Sequence, residues 1–114
     1  MSGFVYLILE WDKIEENLVP SKIGVTRGCI EKRIKKLQTG NTSNLHLFTH
    51  FKSEHPFRLE KMLHNHYQKY KTNGEWFNLP NETVLGFKTI CEEKEELIKF
   101  LLKENHFFGK KTGF

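Results

Sequence analysis

The residues with the clearest chemical potential are cations concentrated in one short segment, residues 22–36. The whole chain carries a formal net charge of +4, whereas this segment carries +5 and contains a single acid, Glu31, so the remainder sums to −1. Its basic residues are Lys22, Arg27, Lys32, Arg33, Lys35 and Lys36. A basic segment on a near-neutral body is typical of a face that binds a polyanion such as nucleic acid. The alternative interpretation is an ordinary solvated helix face.

An acid and a histidine farther along the chain could act on a bound substrate. Glu60 and His64 are four residues apart, so on a helix they share one face, and Tyr67 lies one turn beyond them. The histidines at positions 46, 50, 55 and 66 do not have a spacing that predicts a zinc site. Cys29 and Cys91 are far apart and form no CxxC pair, which is typical of a protein in a reducing intracellular compartment.

The elements that would position these side chains begin with a hairpin. Residues 4–11 are rich in apolar and aromatic residues and predict a strand, and residues 22–26 predict a second strand after a loop over residues 12–20. The link is too short for a crossover helix, so the two strands should be antiparallel. Apolar residues at helical spacing (Ile30, Ile34 and Leu37) then predict a helix that ends at Gly40. Residues 45–52 alternate and predict a third strand.

The second half of the chain predicts two helices with a short extended segment between them. Ser53 is positioned to cap the first helix, with Pro56 in its first turn. Residues 76–79 are long enough only for an edge strand or an ordered turn. Asn81 is positioned to cap a final helix, which Gly86 interrupts near its start, and the acidic run at 92–96 should be its solvated side.

Length and composition predict a single domain over residues 1–114 with one hydrophobic core. No apolar run approaches the roughly 20 residues that a membrane span needs. The N-terminus lacks the charged, apolar and small-residue pattern of a signal peptide. We therefore expect a soluble, intracellular protein that does not contact membranes.

Several short words in this order resemble the GIY-YIG nuclease superfamily, and in particular its small stand-alone branch, which phages and large DNA viruses often carry. The words are Phe4-Val5-Tyr6, Lys22-Ile23-Gly24, Leu37-Gln38-Thr39-Gly40-Asn41 and Gly74-Glu75-Trp76-Phe77-Asn78. The resemblance covers a motif core over residues 3–80, followed by a C-terminal helix and tail over residues 81–114. It implies an α/β (α+β) fold of GIY-YIG type, with a small three-stranded antiparallel sheet flanked by helices.

The resemblance also implies a role for each site residue. Tyr6 matches the tyrosine that lies beside the attacking water, as general base or as its hydrogen-bond partner. Arg33 matches the helix arginine that contacts the phosphate, and Glu60 matches the glutamate that binds Mg²⁺ or Mn²⁺. Mg²⁺ keeps several waters, so a single protein carboxylate can suffice. Asn78 fits the late asparagine that braces the site, with Asn73 as a rival.

Three positions depart from the family pattern. The first word lacks its glycine, although Gly3 is adjacent, and Leu37 stands where several relatives carry a histidine or tyrosine. Lys22 replaces the usual second tyrosine, so we expect its ammonium to lie near the Tyr6 hydroxyl and to hold a phosphate oxygen. His64 could replace the missing relay by contacting a metal-bound water or the phosphate, or it could simply pack the helix.

The function that these features predict is metal-dependent endonucleolytic cleavage of nucleic acid, most naturally DNA. The basic residues outside the reacting site, at positions 27, 32, 35 and 36, should contact the phosphate backbone. We expect weak specificity, or a protein partner that supplies it. One alternative is a nucleic-acid-binding protein of the same fold that has lost catalysis. A second is a protein-interaction domain that docks through the tail at residues 107–114.

Overall fold

The computed structural model describes the backbone of residues 2–112 and the side chains of residues 2–103. Its strands are β1 (Gly3–Glu10), β2 (Leu18–Thr26), β3 (Leu45–Ser53), β4 (Lys71–Asn73) and β5 (Trp76–Pro80). Its helices are α1 (Ile30–Thr39), α2 (Pro56–His66), α3 (Asn81–Leu85) and α4 (Phe87–Thr112), and short 3-10 turns cover Trp11–Lys13 and Gln68–Tyr70. The prediction about the aromatic tail concerns side chains that lie outside this description.

The sheet has five antiparallel strands in the spatial order β3-β1-β2-β5-β4. The prediction of three strands was therefore wrong, although the antiparallel β1–β2 hairpin is confirmed. The two additional strands form a hairpin that turns at Gly74, whose φ of +58° lies in the left-handed region that glycine tolerates. β5 pairs with the first half of β2, from Leu18 to Lys22, so the predicted loop over 12–20 is shorter than expected.

The two faces of β1 bury different residues because successive side chains point to opposite sides of a strand. Val5, Leu7 and Leu9 belong to the main core, which α2 and α4 complete with residues such as Leu59 and Phe87. Tyr6 and Ile8 are also buried but lie outside that cluster. Tyr6 faces α1, whose Arg33 contacts its hydroxyl. The central strand is thus covered on both sides.

The acidic run of α4 is not wholly solvated, which corrects the prediction for residues 92–96. Glu95 is 5% exposed, because the helical repeat places it on the same face as Cys91 and Ile98, which are core residues. Its carboxylate accepts hydrogen bonds from the Ser53 hydroxyl at 2.7 Å and from the Glu54 amide at 3.1 Å. Ser53 therefore joins β3 to α4 and does not cap α2.

The residues at the starts of α2 and α3 differ from the two predicted caps. His55, and not Ser53, is the residue that precedes α2, with Pro56 at the first helical position as expected. Asn81 begins α3 without a side-chain cap, and Gly86 separates α3 from α4 as predicted. No helix in the described part of the chain is both long and apolar enough to cross a membrane.

Candidate active site

Tyr6 occupies a position that only a glycine opposite it permits. Tyr6 and Gly24 are direct partners across β1 and β2. A Cβ atom at residue 24 would lie 2.4 Å from the Tyr6 Oη atom and 2.5 Å from the ring carbon that bears it. Such distances are far below van der Waals contact. The phenol of Tyr6 therefore lies in space that a side chain at residue 24 would otherwise fill. The space that Tyr6 requires therefore explains the glycine of the Ile-Gly word.

Arg33 is held against this phenol by a hydrogen bond. Its Nε atom donates to the Tyr6 Oη atom at 3.3 Å. The first turn of α1 presents the side chain toward the sheet, and the Arg33 amide is itself bonded to the Cys29 carbonyl at 3.1 Å. The bond to Tyr6, and to a lesser degree the negative charge of Glu75, raise the pKa of the guanidinium. Arg33 therefore stays cationic, and the Tyr6 proton remains available to another acceptor.

Lys22 is paired with an acid that the sequence interpretation did not assign. Its Nζ atom lies 3.1 Å from a carboxylate oxygen of Glu75 and 5.5 Å from the centroid of the Trp76 ring. The pairing of Lys22 with Trp76 across β2 and β5 creates both contacts. No hydrogen bond joins Lys22 to Tyr6 within the described residues. Lys22 and Tyr6 are diagonal neighbours on one face of the hairpin, because Tyr6 pairs with Gly24, two residues after Lys22.

Glu60 is half-buried on α2, and one of its carboxylate oxygens lacks a hydrogen bond in the described part of the chain. Its Oε2 atom is fully buried and has no hydrogen-bond partner in the described part of the chain. Burial, followed by the negative charge of Glu75, raises the pKa of the Glu60 carboxyl to about 7, against the opposing effect of Lys22. A buried carboxylate oxygen without a donor is an unstable arrangement unless a proton or a cation compensates it.

His64 supports the backbone at the end of the β2–β5 pairing. Its Nε2 atom lies 3.0 Å from the Ile23 carbonyl oxygen, and its ring meets Phe77 edge-on at 5.0 Å. A carbonyl can only accept, so Nε2 must carry the proton. The bond supports the packing interpretation of His64, because that nitrogen is no longer free to contact phosphate or water.

The two candidate asparagines make no hydrogen bond to the groups of this cluster in the described part of the chain. Asn78 is opposite Pro20 and lines a groove with the segment Asp12–Glu16 and Leu18. Asn73 is exposed on β4, an edge strand. Neither forms a hydrogen bond with Tyr6 or Glu60 in the described part of the chain.

The basic residues of α1 form an open cationic surface. Lys32, Lys35 and Lys36 are exposed, and no carboxylate of the described side chains lies within 4 Å of them, since the ion pairs found there involve other lysines. Arg27 is exposed as well and lies over the Phe57 ring. Lys22 and Arg33 are the members of the segment that turn inward, so the cationic surface continues into the site.

Glu75 is the residue of this site that the sequence interpretation missed. It contacts Lys22 and influences the pKa values of both Arg33 and Glu60, so it lies where the cations and the buried acid meet. The signal was present in the Gly74-Glu75-Trp76-Phe77 word, which carried the resemblance but not a role. No group of three or more histidine, cysteine or acidic side chains that could hold a metal ion occurs among the described residues.

Glu60, with its unsatisfied oxygen and the negative charge of Glu75 nearby, is the described residue that could hold a hard cation that keeps most of its own water.

Comparison with known proteins gives one family. The model of the T5orf172 domain matches residues 3–103. No curated protein and no solved structure shows a significant match.

Proposed function

The chain belongs to the T5orf172 domain family, and with that membership as the premise we propose that it is a metal-dependent endonuclease that hydrolyses phosphodiester bonds in DNA. T5orf172 domains are phage-associated and are related to nuclease-like families of the GIY-YIG and HNH types. We assign this chain to the GIY-YIG type because Tyr6, Arg33 and Glu60 follow that order. Five strands, instead of three, are then an elaboration of the sheet at the β2 edge.

The observation that carries the proposal is the meeting of opposite charges around Glu75. Glu75 lies 3.1 Å from Lys22 and influences the pKa values of Arg33 and Glu60. Two cations and an undersatisfied carboxylate therefore surround one small region beneath the basic surface of α1. Metal-dependent hydrolysis of a phosphodiester needs positive charge for the phosphate and an acid that holds the metal.

Each side chain has a role in this proposal. Arg33 and Lys22 bind the non-bridging oxygens of the scissile phosphate, and Lys22 shares its charge with Glu75 until substrate arrives. Tyr6 holds Arg33 in place and uses its remaining proton to orient water or a phosphate oxygen. Glu60 would hold Mg²⁺ or Mn²⁺, which supplies positive charge and an activated water when bound. The exposed lysines of α1 position the nucleic-acid backbone. Sequence specificity is weak, or a protein partner supplies it.

The alternative is a nucleic-acid-binding protein of the same fold without catalysis. One observation favours it, because the Tyr6 side chain is 0% exposed and its hydroxyl has no direct access to bulk water. The alternative retains the cationic surface and needs no metal.

Cleavage of supercoiled plasmid, single strands, branched DNA and RNA, each with and without Mg²⁺ or Mn²⁺, separates the two functions. An endonuclease requires the metal and loses activity in Glu60→Gln, whereas Glu82→Gln, an exposed acid on α3, serves as the charge-matched control. Binding without cleavage of any substrate would establish the alternative.

A further inference from the structure

An exposed aromatic ring lies under a guanidinium where β2 ends and α2 begins. Arg27 directly follows β2, and its guanidinium carbon lies 4.7 Å from the centroid of the Phe57 ring. Phe57 remains 51% exposed with this cation over it. A phenylalanine that served only the core would be buried, as Phe77 and Phe87 are.

The arginines around this ring have no acidic partner among the described side chains. No carboxylate of the described side chains lies within 4 Å of Arg27 or of Arg58, since the ion pairs found there involve only lysines. Both arginines line a recess of about 210 Å³, together with Glu54, His55, Pro56 and Phe57. Clefts that hold drug-sized ligands are about 300–1,000 Å³, so this recess suits one planar group. Its cations outnumber its single acid.

The recess borders the proposed reacting site. Phe57 precedes Glu60 by three residues on α2, and side chains at that spacing are neighbours on a helix surface, with Cβ atoms about 5–6 Å apart. Arg27 lies three residues after Gly24, which faces Tyr6. The recess therefore adjoins the two elements, α2 and β2, that carry Glu60 and Gly24.

We propose that Phe57 and Arg27 form a stacking platform for an unpaired nucleobase adjacent to the cleaved phosphate, an inference that rests on the proposed function for the class of substrate. Bases stack on aromatic side chains and on arginine planes in proteins that bind single strands, while nearby cations track the backbone. A base inside an intact duplex already stacks on its neighbours and cannot reach such a ring. The platform therefore selects single-stranded, gapped or branched nucleic acid over continuous duplex.

The test is binding measured without metal, so that cleavage does not enter. Fluorescence anisotropy in EDTA compares a short oligothymidine strand with a duplex of the same length. Phe57→Ala should weaken binding of the single strand by about tenfold or more, as loss of one stacked base does, and leave the affinity for duplex unchanged. Phe57→Trp should retain single-strand affinity. Phe100→Ala is the matched control, since Phe100 is 57% exposed on α4.

The outcomes separate this inference from the proposed function. The platform would be overturned if Phe57→Ala, unfolding at the wild-type temperature, lost affinity equally for single strand and duplex. It would also be overturned if the variant lost affinity for neither. A protein that cleaves DNA with Mg²⁺ but shows no Phe57 effect would keep the proposed function and lose the platform. A protein that never cleaves, yet shows the selective loss, would keep the platform alone.

Discussion

Gly24→Ala tests the central contact of the site, because a single methyl group is placed against a fully buried phenol. The added Cβ would meet the Tyr6 Oη, Cζ and Cε1 atoms at 2.4, 2.5 and 2.7 Å. Ordinary contacts begin at 3.4 Å, so the ring or the strand must move by about 1 Å to relieve the closest approach. Tyr6 is 0% exposed, and neighbouring strands hold β2 on both sides, so neither movement is easy.

The expected cost follows from the behaviour of overpacked cores. Inserting a methylene group into a well-packed interior typically costs about 1–3 kcal/mol, and three simultaneous close contacts place this variant near about 3 kcal/mol. For a chain of this size, that loss lowers the midpoint of thermal unfolding by roughly 10 °C. The shift of the ring should also break the bond between Arg33 and Tyr6, so nucleic-acid cleavage should fall as well.

A double-mutant cycle isolates the contact. In a Tyr6→Ala background the obstructing ring is absent, and Gly24→Ala should become neutral or slightly stabilising, by up to about 1 kcal/mol, because alanine restricts the unfolded chain. Gly28→Ala is the control, since the nearest atom to its added Cβ is 3.8 Å away. Urea unfolding of the four variants measures the coupling. An equal cost of Gly24→Ala with and without the Tyr6 ring would refute the steric argument.

Three further predictions concern charge. Glu60→Gln should abolish cleavage while leaving binding nearly intact. Without metal, this variant should also exceed the wild type in unfolding free energy by about 1 kcal/mol above pH 7. The folded pKa of the Glu60 carboxyl, about 7, lies above its usual value of 4.5, so the wild type loses stability as pH rises through that window; equal stability at every pH would contradict this prediction. Lys35→Gln with Lys36→Gln should flatten the slope of log affinity against log salt by about 0.9 for each lysine that contacts duplex phosphate, and an unchanged slope would place the binding face elsewhere. Lys22→Met should slow cleavage and move the acidic limb of its pH–rate profile upward, because Lys22 opposes the rise in the pKa of Glu60; a wild-type rate and profile would make Lys22 a bystander.

Local patterns predicted the elements that depend on local interactions. The hairpin of β1 and β2 and the helix from Ile30 to Gly40 follow from short-range alternation and helical periodicity, and the structure has both. β4 was missed, and β5 was predicted only as an edge strand or an ordered turn, whereas it lies between β2 and β4. Three and five residues carry too little periodicity to show this pairing. Glu95 was assigned to solvent for a related reason, since its partner Ser53 is 42 residues distant.

The residues of the candidate site show the same difference between local patterns and long-range contacts. Tyr6, Arg33 and Glu60 were predicted as site residues through the family resemblance, and the structure joins the first two by a hydrogen bond. Glu75 was not assigned because its importance depends on the register between β2 and β5, which brings Lys22 opposite Trp76. Registers between strands that are distant in sequence depend on tertiary packing, so no local pattern could place that carboxylate beside Lys22.

β2 pairs with β5 along its first half and with β1 along its second half, and this arrangement has a consequence for folding order. The later residues of β2 pair with β1. Tyr6, Gly24 and Arg33 all come from the first 33 residues, so the half of the site around Arg33 depends on contacts of short range. Glu60 and Glu75 come from later in the chain, where His64 of α2 bonds the Ile23 carbonyl and the Glu75 carbonyl accepts from the Ile23 amide. Contacts between distant segments carry a larger entropic cost and form later. We therefore expect Glu60 and Glu75 to reach the site last, after the contact between Arg33 and Tyr6 has formed.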